Sequence, residues 1–383
     1  MKTFSLNCLV LMIVLSCGTK PSEKMDSDGK LELEVLDSVR FEYLGQLHLM
    51  DVNPEIGKVL FFDQQTRDFL VSDFEGNQLA KFNKTGDAPD SFGSFPLTAG
   101  KFIDGSSFRI LSYLGAFTYD FEGNLIHAMR YPEPVYFPGR ASAESEFFEV
   151  ENKFHTVGIV PRGEYPNNIP AYYDNFELLA KIDAENGEVE RVIKLEEESV
   201  FKNGNGHDVS DMIPLIQIRD EKIWMIVGKD LFLNVYDLNP PHALLQKTAL
   251  PVQEFDQNPG LPMKEMDPLA IRPDMTFGRI KNMKVTDKHV IISYFRGLDE
   301  LDREEFKALK TFQESQIFLE SKKDKYPDHL LVLNKEGEKL TDFEIPSQLH
   351  NQQFLFREGF LWFLSRLNLE EEEDFWTVYK VDL

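Results

Sequence analysis

Arginines close three short apolar runs at matching places: "VGIVPR" ends on Arg162, "IISYFR" on Arg296 and "LWFLSR" on Arg366. Tyr113 and Lys229 stand at about the corresponding place in two further runs. Guanidinium groups stay charged and present a planar fork of donors that fits carboxylates and phosphates with paired bonds. If the runs end at one mouth, these cations form an anion site. If each meets an acid of a neighbouring unit, they are structural ion pairs. Both readings are open in a chain with 65 acidic residues, 41 basic ones and a net charge of −24.

A second stretch, "NGNGHDVSD" (203–211), sets His207, Asp208 and Asp211 among glycines. Carboxylates suit a calcium ion and glycine-rich backbone suits a phosphate, while a polar surface turn uses the same residues. Tyr172, in the long segment "PRGEYPNNIPAYYDN", adds an aromatic candidate for ligand contact. No G-x-S-x-G, H-E-x-x-H, P-loop or C-x-x-C is present, so catalysis by those routes is not expected. Arg162, Arg296, Arg366, Lys229, Tyr113, Tyr172 and His207 are read as a binding set without a catalytic residue or cofactor. Calcium held by Asp208 and Asp211 is the weaker alternative.

The elements that must position these residues are repeats. "VSDFEGNQLAKF" (71–82) has a near twin in "TYDFEGNLIHAM" (118–129), similar hairpins begin near Ala180, Asn234 and Leu331, and "TVYKVDL" opens a sixth. Asp73, Asp120, Asp183, Asp237, Asn334 and Asp382 hold the place where an Asx side chain caps a tight turn. Another hairpin precedes each of these and enters a nearly continuous apolar run, as expected of a strand covered on both faces. Six pairs of hairpins predict an all-β chain, a six-bladed β-propeller of four-stranded blades.

The sixth unit reaches Leu383 one strand short. The unassigned segment "KLELEVLDSVRFEY" (30–43) alternates at Leu31, Leu33 and Val35 and is expected to pair with 376–383, closing the ring. Turns within the hairpins are short. The connections from second to third strand and from fourth strand to the next blade read as long, all on one face, which makes that face the expected functional one. The longest, after Gly297 in blade 5, reads as one helical insertion with a stripe at Leu298, Leu301, Phe306, Leu309 and Phe312. It is either a lid over the mouth or a cover for the rim.

The N-terminus is an address. Lys2, the apolar "LVLMIVL" and Ser16 form an export signal, too short to span a bilayer, which needs roughly 20 residues. "VLSC", ending at Cys17, resembles the lipobox of bacterial lipoproteins. That resemblance implies a signal peptide over 1–16, a palmitate-type acyl anchor on Cys17, a flexible tether over 17–29 and a propeller over 30–383. Cleavage removes Cys8, the only other cysteine, so no disulfide is expected. Without Lys2, 40 basic residues face 65 acidic ones, a surface that repels nucleic acid and anionic headgroups. Gly18 in place of an Asp after Cys17 points to the outer membrane, with the facing open.

The whole chain, lipobox plus blades, also resembles a family of Bacteroidetes-type lipoproteins of unknown function with six-bladed, TolB-like or NHL-like propellers. The resemblance implies architecture and carries no catalytic residues. The expected protein is therefore a lipid-anchored, monomeric envelope module that binds an anionic ligand or an envelope protein through its long-loop face. A calcium-dependent propeller hydrolase or lactonase, and a structural subunit of an envelope complex, are the alternatives.

Overall fold

Each full Asx motif folds as a capped hairpin in the computed structural model, which describes residues 31–158, 164–268, 274–367 and 373–383. The signal segment 1–16, the tether 17–29 with Cys17, and Arg162 lie outside the described residues. Asp73 Oδ1 accepts the backbone N–H groups of Glu75 and Asn77 at 3.1 and 2.8 Å. Asp120 accepts that of Asn124 at 2.7 Å, and Asn334 that of Glu338 at 2.8 Å. The turn glycines Gly76, Gly123 and Gly337 have φ of 86°, 84° and 87°. A Cβ is costly in that left-handed region, which explains the Gly of the motif.

Six four-stranded antiparallel sheets follow. Blade 1 is Leu47–Asn53, Lys58–Asp63, Asp68–Asp73 and Gln78–Asn83 in chain order. The innermost strands of blades 2 to 5 are Lys101–Phe102, Phe148–Val150, Pro214–Arg219 and Phe277–Val285. Blade 6 takes Leu349–Arg357, Phe360–Ser365 and Phe375–Asp382, then closes with Glu34–Glu42. The closing pair is antiparallel from Glu34↔Asp382 to Glu42↔Phe375, with a bulge at Leu36. The expected ring closure is present, and the bulge leaves Val35 and Leu36 exposed.

The core lies between blades. Phe69 of blade 1 is fully buried, with its ring centroid 5.2 Å from that of Phe108 of blade 2, tilted, and 5.5 Å from that of Phe92 of the loop between them, edge-on. Truncating such a ring costs about 3–5 kcal/mol. The interblade layers thus hold the ring while leaving its two faces free.

Two expectations are corrected. Second-to-third connections are long only in blades 3, 5 and 6; in blades 1, 2 and 4 they span 64–67, 112–114 and 228–231. Likewise 345–348 and 43–46 are short links into blades 6 and 1. A strand reversal needs only two to five residues, so length at these positions is an insertion rather than a requirement. The helical insertion is also two helices, not one. With α1 at Pro170–Asp174, the insertion holds α2 at Glu300–Lys307 and α3 at Phe312–Ser321. Thr311 and Glu314 form a capping box that starts α3 and interrupts the stripe. Phe306 and Leu309 pack with Phe295, Leu298 and Phe318 on the rim of blade 5, and Leu301 stands 83% exposed. Among the described residues no helix is long and apolar enough to cross a membrane.

Candidate functional site: an axial ion network and the rim pockets

The innermost strands carry charges that their apolar neighbours conceal. Asp51, in "LHLMDVN" of blade 1, accepts the Phe102 N–H of blade 2 at 2.8 Å and the Arg357 Nε–H of blade 6 at 2.8 Å. Arg357 Nη2 donates to Glu146 Oε1 at 2.7 Å. Glu146 enters blade 3, accepts Gln217 Nε2 of blade 4 at 3.0 Å, and pairs with Lys284 of blade 5. Lys284 Nζ donates also to the Ala143 carbonyl at 2.8 Å. Two carboxylates thus join all six blades around the axis.

Burial sets the energetics of this network. Burial would raise the Glu146 carboxyl, yet Lys284 and Arg357 outweigh it and hold it well below the carboxylate range. Burial pushes Asp51 up against the opposing pull of Arg357, and pushes Lys284 down against that of Glu146. Such a group is stable only with its partners in place, because removing one strands a charge in low dielectric.

Among the described residues, the expected site residues do not meet at one point. Arg296 reaches Glu254 at 3.3 Å and lines a cavity of about 560 Å³ with Asp299, Arg303 and Lys325. Arg366 reaches Glu320 at 3.2 Å and Asp328 at 3.8 Å and lines a separate cavity of about 240 Å³. Leu298 and Tyr326 line both cavities and separate them. Lys229 is buried and pairs with Asp211 at 2.8 Å; burial pushes the lysine down and the carboxyl up, and the contact opposes both shifts. Tyr113 packs its ring against Gly93, where a Cβ would come within 2.5 Å of it.

His207 and Tyr172 are buried in the blade 3–4 core. The His207 backbone N–H donates to Tyr173 Oη at 2.7 Å, its ring packs edge-on to Phe201, and burial pulls its pKa down to about 4. Asp208 caps a short 3₁₀ turn by accepting the Ser210 N–H at 2.9 Å, and Asp211 is held by Lys229 and Asn258. Their oxygens are committed to the protein. Among the described residues no group of three or more His, Cys, Asp or Glu is arranged to hold a metal ion.

Sequence reasoning missed the axial network. Its signal was charge interrupting an inner apolar run, Asp51 in "LHLMDVN" and Lys284 in "IKNMKV". Register slips at 49–51 and 280–282 break the two-residue period there, so alternation does not identify the inward face. It also missed Arg279, whose Nε and Nη2 atoms are buried without a hydrogen-bond partner.

No protein-family model matches the chain, and no curated protein matches it. Solved structures do. The chain is similar to a member of the DUF4221 family from Bacteroides vulgatus, with a TM-score of 0.64 and 11% identity over 92% of this chain and 98% of that one. It is also similar to a proposed exported protein from Bacteroides fragilis, with a TM-score of 0.51 and 10% identity over 92% and 95% of the two chains. A gluconolactonase from Xanthomonas campestris superposes more loosely, with a TM-score of 0.42 and 10% identity over 91% and 90%. The expected likeness to Bacteroidetes-type propellers of unknown function is present as a shared fold.

Proposed function

We propose that the chain is an envelope-anchored, non-catalytic binding module that engages its partner through the long-loop face. One observation carries this reading. Of sixteen exposed large hydrophobic side chains among the described residues, eight stand on the long-loop face, and one, Ile103, stands on the opposite face. The remaining seven lie on the outermost strands. Leu44, Phe95, Tyr136, Leu261, Leu301 and Leu367 come from different connections around the rim. Apolar groups gathered on one face of a rigid ring are characteristic of an interaction surface.

The anchor is Cys17 and the location is the outer membrane. "VLSC" and the polar tether that follows support the anchor, Gly18 after Cys17 supports the location, and the fold-level likeness to a proposed exported protein agrees with export. Cys17→Ser is expected to move the protein from the membrane fraction to the soluble envelope fraction with an unchanged melting curve. Retention in the membrane fraction would remove the anchor from the proposal.

The face itself is tested by crosslinking and co-purification from solubilised envelope. Leu301→Arg combined with Tyr136→Arg is expected to abolish capture, while Ile103→Arg on the opposite face leaves it intact. Equal capture by both variants would refute the assignment of the face.

A further inference from the structure

We propose that the cavity between α3 and blades 5 and 6 binds a small oxyanion, a carboxylate or phosphate group carried by the ligand of the long-loop face. This deepens the reading of that face as a binding surface and rests on it. The lining is cationic in a protein whose net charge is −24: Arg279, Lys281, Lys322, Lys323 and Arg366 face Glu320 and Asp328. Some of this charge is already matched. Lys322 is held by Asp302 at 2.8 Å and Lys323 by Glu320 at 2.7 Å. Asp328 then serves Lys281 at 2.7 Å, Arg366 at 3.8 Å and the side-chain amide of Asn351.

Arg279 is left over. Its Nε and Nη2 atoms have no hydrogen-bond partner in the structure although both are buried. Asp211 and Asp274 act on it through space. Asp211 is engaged by Lys229 at 2.8 Å, and Asp274 accepts the Thr276 N–H at 2.9 Å and its hydroxyl at 2.6 Å. Arg140 adds repulsion. Buried guanidinium donors left unmet are costly, and an oxyanion supplies the missing acceptors and charge together.

His350 adds a neutral donor. Its Nδ1 accepts the backbone N–H groups of Gln352 and Gln353 at 3.2 and 3.4 Å, which leaves the proton on Nε2. Burial, with Lys281 and Arg366 nearby, pulls its pKa down to about 3, so it remains an uncharged N–H donor at neutral pH. A cavity of about 240 Å³ lies below the roughly 300 Å³ of typical drug-sized sites. It admits one small anionic group rather than a polymer segment. The neighbouring 560 Å³ cavity lacks this surplus: Arg296, Arg303, Lys307 and Lys325 there meet five acids.

The test is calorimetric titration of the purified protein with inorganic phosphate and, separately, with succinate, in sodium chloride at constant ionic strength and neutral pH. Melting temperatures in the same solutions provide a second readout, because a ligand of the folded state raises them. The parent protein is expected to bind at least one probe saturably. Arg279→Gln and Lys281→Gln should each weaken binding tenfold or more, whereas Arg67→Gln, in a separate rim cavity, should leave it unchanged. Binding of phosphate alone assigns a phosphate group, and of succinate alone a carboxylate. If Arg279→Gln fails to fold, Lys281→Gln carries the comparison. Neither binding nor a melting shift with both probes, or undiminished binding by the folded variants, would overturn the site. Loss of anion binding with continued partner capture refutes this pocket alone, whereas anion binding with capture indifferent to the face refutes only the broader reading.

Discussion

The axial network and the blade 5–6 cavity are built from the same kinds of side chain, Asp, Glu, Lys and Arg, with different balance. At the axis, Asp51 and Glu146 meet Lys284 and Arg357, two charges against two, with each carboxylate also accepting an uncharged donor. In the cavity, five cations meet two acids, and one guanidinium keeps buried donors unmet. A matched buried group is complete and acts as structure. A mismatched one is complete only with something from outside, which marks it as a place for a ligand.

Opening the ring gives the largest effect, because the axial network requires all six blades at once. Removing residues 31–43 uncovers the edge of Phe375–Asp382 and detaches blade 6 from its outer strand. Loss of cooperative unfolding and rapid aggregation are expected, measured by calorimetry and light scattering. A normal melt would show that the closing strand is dispensable.

Glu146→Ala comes next. It leaves Lys284 and Arg357 without their shared carboxylate, and a loss of about 3–5 kcal/mol in denaturant unfolding is expected. The double variant Glu146→Leu, Lys284→Met should recover part of that loss, since it removes the stranded Lys284 charge while Arg357 keeps Asp51. A loss under 1 kcal/mol for Glu146→Ala would place the network outside the stability of the fold.

Titration separates the regions by pH. His207 and His350 have folded pKa values pulled down to about 4 and about 3 from 6.5. Below pH 6.5 the unfolded chain takes up protons that the folded chain refuses, so stability is full above 6.5 and falls as pH drops toward those values. The slope is at most about 1.4 kcal/mol per pH unit for each histidine. Glu146, held below its ordinary 4.5, adds a second loss of the same sign only below that pH. His350→Gln should therefore lessen the slope from pH 6.5 down to about 3, while His207 keeps its share down to about 4 and the loss tied to Glu146 remains. An unchanged slope there would mean that His350 is not held neutral.

The smallest effects are expected in the cavity. Arg366→Ala breaks contacts at a side chain 34% exposed, and Asp328 keeps Lys281 and Asn351, so a loss of about 0–1 kcal/mol is expected. Arg279→Gln removes a guanidinium whose buried donors are unmet and should leave the melting temperature unchanged or raise it. A loss of several kcal/mol at Arg279 would show that its charge is matched after all and would erase the contrast with the axis.

What the sequence determined by itself was the architecture. The Asx–Gly hairpin is local chemistry: Asp73 or Asp120 caps its own turn within four residues, and Gly76 or Gly123 admits the positive φ. Six copies and one spare strand then leave the ring as the closed arrangement, and Glu34–Glu42 fills the gap. The arginine positions were legible for the same reason, since they recur with the repeat. Their partners were not. Glu320 and Asp328 come from the insertion, and Glu254 from the connection between blades 4 and 5, neither of which repeats. The axial network joins residues up to 306 positions apart through inner strands whose bulges hide the inward face. Whether a buried charge is matched depends on distances across blades, and only the closed ring sets those.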